Sequence, residues 1–164
     1  MTFSSQKCEE GQTLDIEIPS MMEETPVEAI DKVELSEGSE HIVKMLNSGE
    51  GGQMIFEPAV IKVSVGDTIH FKATDAAHNS VSIDGMLPTG AVSWASQLSQ
   101  DISVTLDTEG VYVYQCDPHL IMAMVGVIQV GEAVNMDEIR SAASNYSSNF
   151  LMNNDRLQSY LNQL

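Results

Sequence analysis

Two strand-like segments enclose a short loop in the stretch GVYVYQCDPHLIMAMVGVIQV, residues 110–130. The segments VYVYQC (111–116) and VGVIQV (125–130) are short and rich in β-branched and aromatic residues, which is typical of strands. The loop between them carries a thiol, an imidazole and a thioether on Cys116, His119 and Met124. We therefore expect two paired strands that hold these three side chains rigidly at one end of a sheet.

Five further segments between residues 41 and 106 have the same character. Turn-forming sequences such as GEGG, VGD, TDAAH and DTEG separate them. Short strands at such close spacing predict an all-β sandwich or barrel. The five segments are HIVKMLN (41–47), VIKVSV (60–65), TIHFKA (68–73), NSVSI (79–83) and ISVTL (102–106).

The period of the apolar residues lengthens after Gly131. Apolar residues recur every three or four positions over residues 135–164, which predicts two short helices packed on the sandwich. Asn135 followed by Glu138 resembles a capping box at the start of the first helix. The sandwich should therefore end at about residue 131 and be followed by a helical tail over 135–164.

Charge divides the chain differently. Residues 1–40 hold 11 acidic residues against two lysines, with a single aromatic, and we expect an acidic N-terminal extension that serves as a tether or docking arm. Residues 41–164 should form one domain, consistent with a chain of 164 residues. No apolar run approaches the length of a membrane span, so a membrane-spanning segment is not expected.

The formal net charge of -17 excludes most nucleic-acid partners, because phosphates require basic neutralisation. A protein with a basic docking face is the natural complement.

The first residues, MTFSSQKC, lack the apolar core of a signal peptide. Either the protein is cytosolic, or the sequence is the mature or trimmed form of an exported protein. The second alternative is favoured by the metal-ligand group described in the next paragraph.

His78 supplies a second imidazole in the segment AAHNSVSID, upstream of the loop. Two histidines, one cysteine and a weak axial methionine form the ligand group of a type 1 (blue) copper site. Structural zinc fits less well, since it takes four Cys or His ligands. The remaining histidines, His41 and His70, are expected to be non-ligands at strand positions.

The stretch from Met45 to Glu132 resembles the pseudoazurins, small copper proteins of the cupredoxin class. The phrases MLNSGEGGQMIFEPAVIKVSVGDTIHFKATD, HNSVSIDGMLPTGA and GVYVYQCDPHLIMAMVGVIQVGEA carry the resemblance, and the helical tail agrees with it. The resemblance implies an eight-stranded Greek-key sandwich and copper ligation by His78, Cys116, His119 and Met124. It also implies a periplasmic or otherwise extracytoplasmic location.

Three features depart from the usual pattern, and the first is the acidic extension before His41, which has no counterpart in the family. The loop reads LIMAM (120–124), bulkier than the glycine-rich version of the family, and residues 41–131 carry nine acidic residues against three lysines, whereas pseudoazurins commonly present a lysine-rich face. The acidic balance favours a basic partner.

The first functional hypothesis is a soluble, monomeric shuttle that is not an enzyme. It would pass one electron between redox proteins such as a copper reductase or a c-type cytochrome. One copper ion cycles between Cu(I) and Cu(II), and the electron crosses the exposed edge of His119, surrounded by an apolar patch with Met54, Met86, Leu87 and Pro88 as neighbours. Asn79 should donate to the Cys116 sulfur and tie the His78 strand to Asp117. The alternative, motivated by ten methionines, is copper storage or delivery.

Overall fold

The structure is a computed structural model that describes residues 32–164. In this part of the chain, eight strands form two four-stranded sheets, and two short α-helices follow them. The strands are β1 (Glu40–Gly49), β2 (Gly52–Glu57), β3 (Val60–Val63), β4 (Asp67–Lys72), β5 (Val81–Ser82), β6 (Ile102–Leu106), β7 (Gly110–Gln115) and β8 (Val125–Val130). The helices are α1 (Met136–Tyr146) and α2 (Arg156–Leu161). The predicted all-β sandwich with two short C-terminal helices is confirmed.

The first sheet has the order β2-β1-β4-β6 and the second the order β3-β8-β7-β5. Strands β1 and β4 are parallel, as are β3 and β8, while the other neighbours are antiparallel. The pairing of β5 with β7 sets Val81 opposite Gln115. This register brings the chain just before β5 and just after β7 to the same end of the sandwich.

Strand β7 is buried on both faces because it lies between two apolar layers. Tyr112 and Tyr114 belong to the core between the sheets, whereas Val111 and Val113 pack with the helical tail. The alternation of side chains along a strand explains this division. Strand β8, all of whose residues are buried, divides in the same way.

The helical tail covers the outer face of the second sheet. Its buried residues, Ile139, Ala143, Phe150, Leu157 and Leu161, form one cluster with valines of β7 and β8. Burying apolar side chains of this size contributes roughly 1.5–3 kcal/mol each relative to exposure. The tail is therefore an integral layer of the domain.

The predicted capping box at Asn135 is wrong. Asn135 precedes α1, but its side chain makes no capping hydrogen bond. Its amide is buried instead, accepting from the Val111 N–H at 2.7 Å and donating to the Val111 carbonyl at 3.0 Å. Asn135 therefore fastens the start of the tail to β7.

The described part of the domain begins before the predicted boundary at His41. The Val33 N–H donates to the Gln163 carbonyl, and Leu35 forms a bridge with Lys62 of β3. Residues 32–40 thus pack on the sandwich. The remainder of the predicted acidic extension lies outside the described residues. Within residues 32–164, neither helix has the length and apolar character needed to cross a membrane.

One strand was absent from the sequence-based list. Strand β2 spans the phrase GQMIFE and pairs with β1, with Met45 opposite Phe56. The backbone of Met54 has a φ of 50°, which interrupts the regular alternation. The resemblance had nevertheless implied eight strands, and this number is present among residues 32–164.

Candidate metal centre

Three of the predicted ligands meet at the end of the sandwich where β5 begins and β7 ends. The Cys116 Sγ lies 3.6 Å from His78 Nδ1 and 3.4 Å from His119 Nδ1. One potential ligand atom from each residue lies within 4.8 Å of the others. The pairing of β5 with β7 explains the approach of His78 to Cys116, although 38 residues separate them in sequence.

Met124 reaches the same region from the opposite strand. Gln115 pairs with Val125, and the next position continues the ladder, with the Cys116 N–H donating to the Met124 carbonyl at 2.9 Å. Cys116 and Met124 are both fully buried in the core between the sheets. Strand alternation directs both sulfur-bearing side chains into the sandwich.

A compact loop connects the two sulfur ligands. Residues Asp117–Met122 form 3₁₀ turns with Pro118 at the start, where its missing N–H is tolerated. The His119 N–H donates to the Cys116 carbonyl, and the Met124 N–H donates to the His119 carbonyl. These hydrogen bonds fix Cys116, His119 and Met124 relative to each other.

Two alanines in the left-handed region precede ligand positions. Ala77 has a φ of 71° directly before His78, and Ala123 has a φ of 60° directly before Met124. For a residue other than glycine this conformation costs on the order of 1–2 kcal/mol. Burial holds Ala123, and a hydrogen bond from the Ala77 N–H to the Ser99 hydroxyl holds Ala77, so the surroundings maintain a local strain directly before His78 and Met124.

His78 is held by a hydrogen bond on its far nitrogen. His78 Nε2 lies 2.8 Å from Asn47 Oδ1, an acceptor, so Nε2 carries the proton and Nδ1 presents its lone pair toward the sulfur. Burial lowers the pKa of His78, the nearby His119 lowers it further, and Asp75 opposes them. A neutral imidazole with a free Nδ1 is the form that binds a metal ion. Sequence reasoning missed Asn47, which lies 31 residues away in β1 and has no motif to mark it.

The predicted contacts of Asn79 are present. Its side chain accepts from the Asp117 N–H at 2.8 Å and donates to Asp117 Oδ2 at 3.2 Å, which joins the His78 segment to the loop. Burial raises the pKa of the Cys116 thiol, while backbone hydrogen bonds from Asn79 and His119 act in the opposite direction. These N–H groups would stabilise a thiolate.

The donor set of the site fits a copper ion. Both histidine Nδ1 atoms approach one buried sulfur, whose single S–H could donate to only one of them. A cation among the three atoms satisfies both nitrogens and lowers the cost of a buried thiolate. A thiolate and a thioether suit Cu(I), and imidazoles suit Cu(II), so this combination favours copper over zinc.

The four side chains differ in exposure. His78, Cys116 and Met124 are fully buried, whereas His119 is partly exposed, as expected for a ligand at the surface. The predicted apolar neighbours need correction. Met86 and Pro88 are buried, and Pro88 contacts Gly110 at the opposite end of β7 from Cys116.

A different set of apolar side chains lies beside the loop. Ile121, Leu151 and Met152 are 49%, 75% and 50% exposed. The Leu151 and Met152 N–H groups both donate to the Ile121 carbonyl, which keeps the three residues together. We call them the loop patch. Two of its three residues, Leu151 and Met152, come from the segment between the two helices of the tail.

The other two histidines are engaged elsewhere. His41 Nε2 lies 2.8 Å from Asp67 Oδ2, and His70 contacts Glu40 and Ser103. Among residues 32–164, one group of three histidine, cysteine or carboxylate side chains lies close enough together to hold an ion, and it consists of His78, Cys116 and His119. The expectation that His41 and His70 lie outside the site agrees with these contacts.

Comparisons with known proteins agree with this geometry. Residues 43–131 match the model of the copper-binding proteins of the plastocyanin/azurin family. The pseudoazurin of Paracoccus pantotrophus is 43% identical over 103 residues, which cover 62% of this chain and 71% of that protein.

Two solved pseudoazurin structures are also similar. The protein from Methylobacterium extorquens is 44% identical with a TM-score of 0.61, covering 62% of this chain and 84% of the other. The protein from Hyphomicrobium denitrificans is 33% identical with a TM-score of 0.68, covering 76% and 98%. The second match covers more of this chain than residues 43–131, which the family model matches. Both structures are pseudoazurins, and the sandwich therefore has the cupredoxin fold.

Proposed function

This chain belongs to the pseudoazurin family of copper-binding proteins, and we propose that it holds one copper ion through four side chains: His78, Cys116, His119 and Met124. It is a type 1 copper electron-transfer protein. Bound copper supplies a centre that accepts and releases a single electron as it cycles between Cu(I) and Cu(II). The observation that carries the ligand assignment is the approach of both histidine Nδ1 atoms to the Cys116 sulfur.

The protein residues contribute rigidity. Asn47 fixes the ring of His78, Asn79 ties the His78 segment to Asp117, and backbone hydrogen bonds join Cys116 to Met124. These contacts hold the donor atoms in one arrangement, so that little nuclear movement accompanies a change of charge. No substrate is transformed in this proposal, because two imidazoles, a thiolate and a thioether would leave a bound ion no open position for one.

The assignment is tested by adding Cu(II) to the copper-free protein. We expect an intense visible thiolate-to-copper band, which is lost in Cys116→Ser and retained in Cys8→Ser, the variant of the other cysteine. Retained colour in Cys8→Ser shows that Cys8 is not needed, and lost colour in Cys116→Ser, which still contains Cys8, shows that a thiol in general is insufficient. A colourless wild-type product would contradict the assignment.

Electron exchange is proposed to occur through the exposed edge of His119. It is the one partly exposed residue of the four, and the loop patch of Ile121, Leu151 and Met152 lies beside it. Exposed apolar patches mark partner sites, and transient redox encounters use small interfaces, often below about 1,200 Å². An apolar contact of this kind allows rapid release after transfer.

The partner proposed here is a redox protein with a basic docking face, such as a copper reductase or a c-type cytochrome. The sandwich carries nine acidic residues against three lysines, so a basic surface is attracted over long range. We place the protein, as a monomer, in the periplasm or another extracytoplasmic compartment. A storage role is not favoured, since fully buried sulfur ligands exchange an ion slowly.

Stopped-flow measurements with a basic and an acidic c-type cytochrome test the charge argument. The second-order rate with the basic cytochrome should fall as ionic strength rises, because salt screens the attraction. The rate with the acidic cytochrome should rise or stay constant. A rate with the basic cytochrome that is independent of salt would contradict steering by the acidic surface.

A further inference from the structure

The segment between the two helices of the tail is hydrogen-bonded to the ligand loop. The Leu151 N–H donates to the Ile121 carbonyl at 2.7 Å, and the Asn153 Nδ2 donates to the Met122 carbonyl at 3.2 Å. This segment lies some thirty residues beyond the loop in sequence and contains none of the proposed ligands. Its contacts nevertheless fall on residues that directly precede Met124.

Arg156 makes the densest of these contacts. Its Nη1 lies near four backbone carbonyl oxygens, those of Gln53 at 3.3 Å, Met54 at 3.1 Å, Met122 at 3.4 Å and Ala123 at 3.2 Å. Two of these carbonyls belong to β2 and two to the ligand loop. One guanidinium therefore joins the first sheet, the ligand loop and α2, and its charge stabilises a cluster of oxygens whose dipoles would otherwise repel each other.

Local helix preference does not explain an arginine at this position. Arg156 is the first residue of α2, where the positive end of the helix dipole disfavours a cation by about 0.3–1 kcal/mol. The contacts with the loop and with β2 offset this cost. The contacts of Arg156 with the ligand loop therefore explain an arginine at this position better than helix stability does.

The loop backbone at this point needs external support. Ala123 has a left-handed φ of 60°, its N–H donates to the Leu120 carbonyl, and its carbonyl faces Arg156. Met124 follows directly. Any relaxation of Ala123 toward an ordinary conformation would rotate the Met124 backbone and displace its side chain.

We propose that Arg156 is a positioning residue for Met124, holding the left-handed Ala123 so that the thioether stays directed into the metal centre. The proposal rests on the proposed function only for its effect on copper, because the support of the loop is a property of the chain itself. Axial methionine tunes the reduction potential of such sites. Through this contact the C-terminal tail sets the position from which Met124 would meet a bound ion.

The test compares Arg156→Gln with Arg140→Gln. Arg140 is a matched control, because its guanidinium contacts Asn162 and Leu161 inside the tail and does not reach the loop. In the copper-free protein, we expect amide hydrogen exchange at Ala123 and Met124 to accelerate in Arg156→Gln by on the order of tenfold or more, the effect of losing a hydrogen bond to a charged group. Arg140→Gln should leave these two amides unchanged.

The copper-loaded proteins give a second measurement. Arg156→Gln should shift the reduction potential and the relative intensities of the visible bands, whereas Arg140→Gln should give the wild-type values. Arg156→Lys keeps the charge but lacks the planar fork, and its exchange rates should fall between those of the wild type and Arg156→Gln. If Arg156→Gln does not fold, the comparison of Arg156→Lys with Arg140→Lys replaces it.

Equal exchange rates at Ala123 and Met124 in the Arg156 and Arg140 variants would overturn the proposal. Unchanged potentials and spectra in a coloured Arg156→Gln protein would overturn its effect on the metal centre. A colourless wild-type protein would instead overturn the proposed function, and the exchange experiment on the copper-free chain would still decide the role of Arg156.

Discussion

The two imidazoles of the metal centre lie in regions of opposite character. His78 is fully buried at the end of the sandwich, with Asn47 bound to its Nε2 and the Ser99 N–H donating to its carbonyl at 2.8 Å. His119 is partly exposed in a loop of 3₁₀ turns beside the exposed Ile121. The sandwich side supplies fixed geometry, and the loop side supplies contact with the surface.

An electron carrier requires both properties at once. Rigid donors limit structural change when the charge changes, and an exposed ligand gives the partner access to the centre. Asn79 connects the two regions on one side through Asp117, and Arg156 supports the loop from the tail. Because one region is buried and the other is exposed, the same substitution should change the metal centre differently in the two regions.

The largest difference is expected between His78→Gly and His119→Gly. Imidazole added to His119→Gly should restore the visible band, because the lost ring was partly exposed and a small ligand can enter from solvent. In His78→Gly the cavity is enclosed, and restoration should require on the order of tenfold more imidazole, equivalent to about 1.4 kcal/mol. Titration of both copper-loaded variants followed by absorbance measures the difference.

Equal imidazole requirements would mean that the two rings are equally accessible, and the contrast between the regions would fail. Wild-type protein titrated in parallel shows whether imidazole removes copper on its own.

Asn47→Ala should weaken copper binding without removing a ligand. The hydrogen bond to Nε2 sets the tautomer and the orientation of His78, and loss of such outer contacts typically lowers metal affinity by about 10–100-fold. Competition with a chelator measures the affinity. Asn149→Ala, at an exposed position of the tail, is the control and should bind as the wild type does.

An Asn47→Ala protein with wild-type affinity would show that packing alone orients His78. The sandwich side would then be rigid without a specific hydrogen bond.

Asn79→Ala should uncouple the two regions. The substitution removes hydrogen bonds to the Asp117 N–H, to Asp117 Oδ2 and to the Ser96 carbonyl. Leaving such groups without partners costs about 1–3 kcal/mol. Urea unfolding of the copper-free protein measures this loss. The exposed loop residue Asn154, whose side chain makes a single bond to the Phe150 carbonyl, provides the control Asn154→Ala.

A loss no greater than that of Asn154→Ala would contradict the bridging role. The reduction potential of the loaded Asn79→Ala protein then shows whether the Asn79 N–H to sulfur persists, since the substitution leaves the backbone N–H in place.

The sequence predicted the loop side of the site well and the sandwich side only in part. Cys116, His119 and Met124 lie within nine residues, so their spacing alone reveals a ligand group. His78 was included because the ligand group needs a second imidazole, and the resemblance then placed it at a matching motif position. Asn47 could not, because its role depends on the strand register that sets β1 beside the site.

Elements with an irregular backbone were the harder part of the fold. Strand β2 was missed because the left-handed backbone at Met54 interrupts the alternation of its side chains. Asn135 was misread as a helix cap because its side chain instead accepts a hydrogen bond from the buried backbone N–H of Val111 in β7. Arg156 gave no signal, since its contacts are with backbone carbonyls and leave no pattern in side-chain type. Such contacts depend on tertiary structure, which sequence periodicity does not encode.

The smallest effect is expected at the buried pair of His41 and Asp67, far from the metal centre. On β1, His41 lies six positions before Asn47, which corresponds to about 20 Å along the strand. Burial opposes ionisation of Asp67, but hydrogen bonds from His41 and the Ser64 N–H outweigh it, so the pKa of Asp67 lies below its ordinary value. The stabilisation is therefore complete above the unfolded pKa of about 3.9 and disappears as the pH falls through the lower, folded pKa. In urea unfolding of the copper-free protein, the difference in unfolding free energy between wild type and Asp67→Asn should shrink as the pH falls below the unfolded pKa of about 3.9. A difference that stays constant with pH would mean that packing alone, and not the ionised Asp67 carboxylate, stabilises this end of the sandwich.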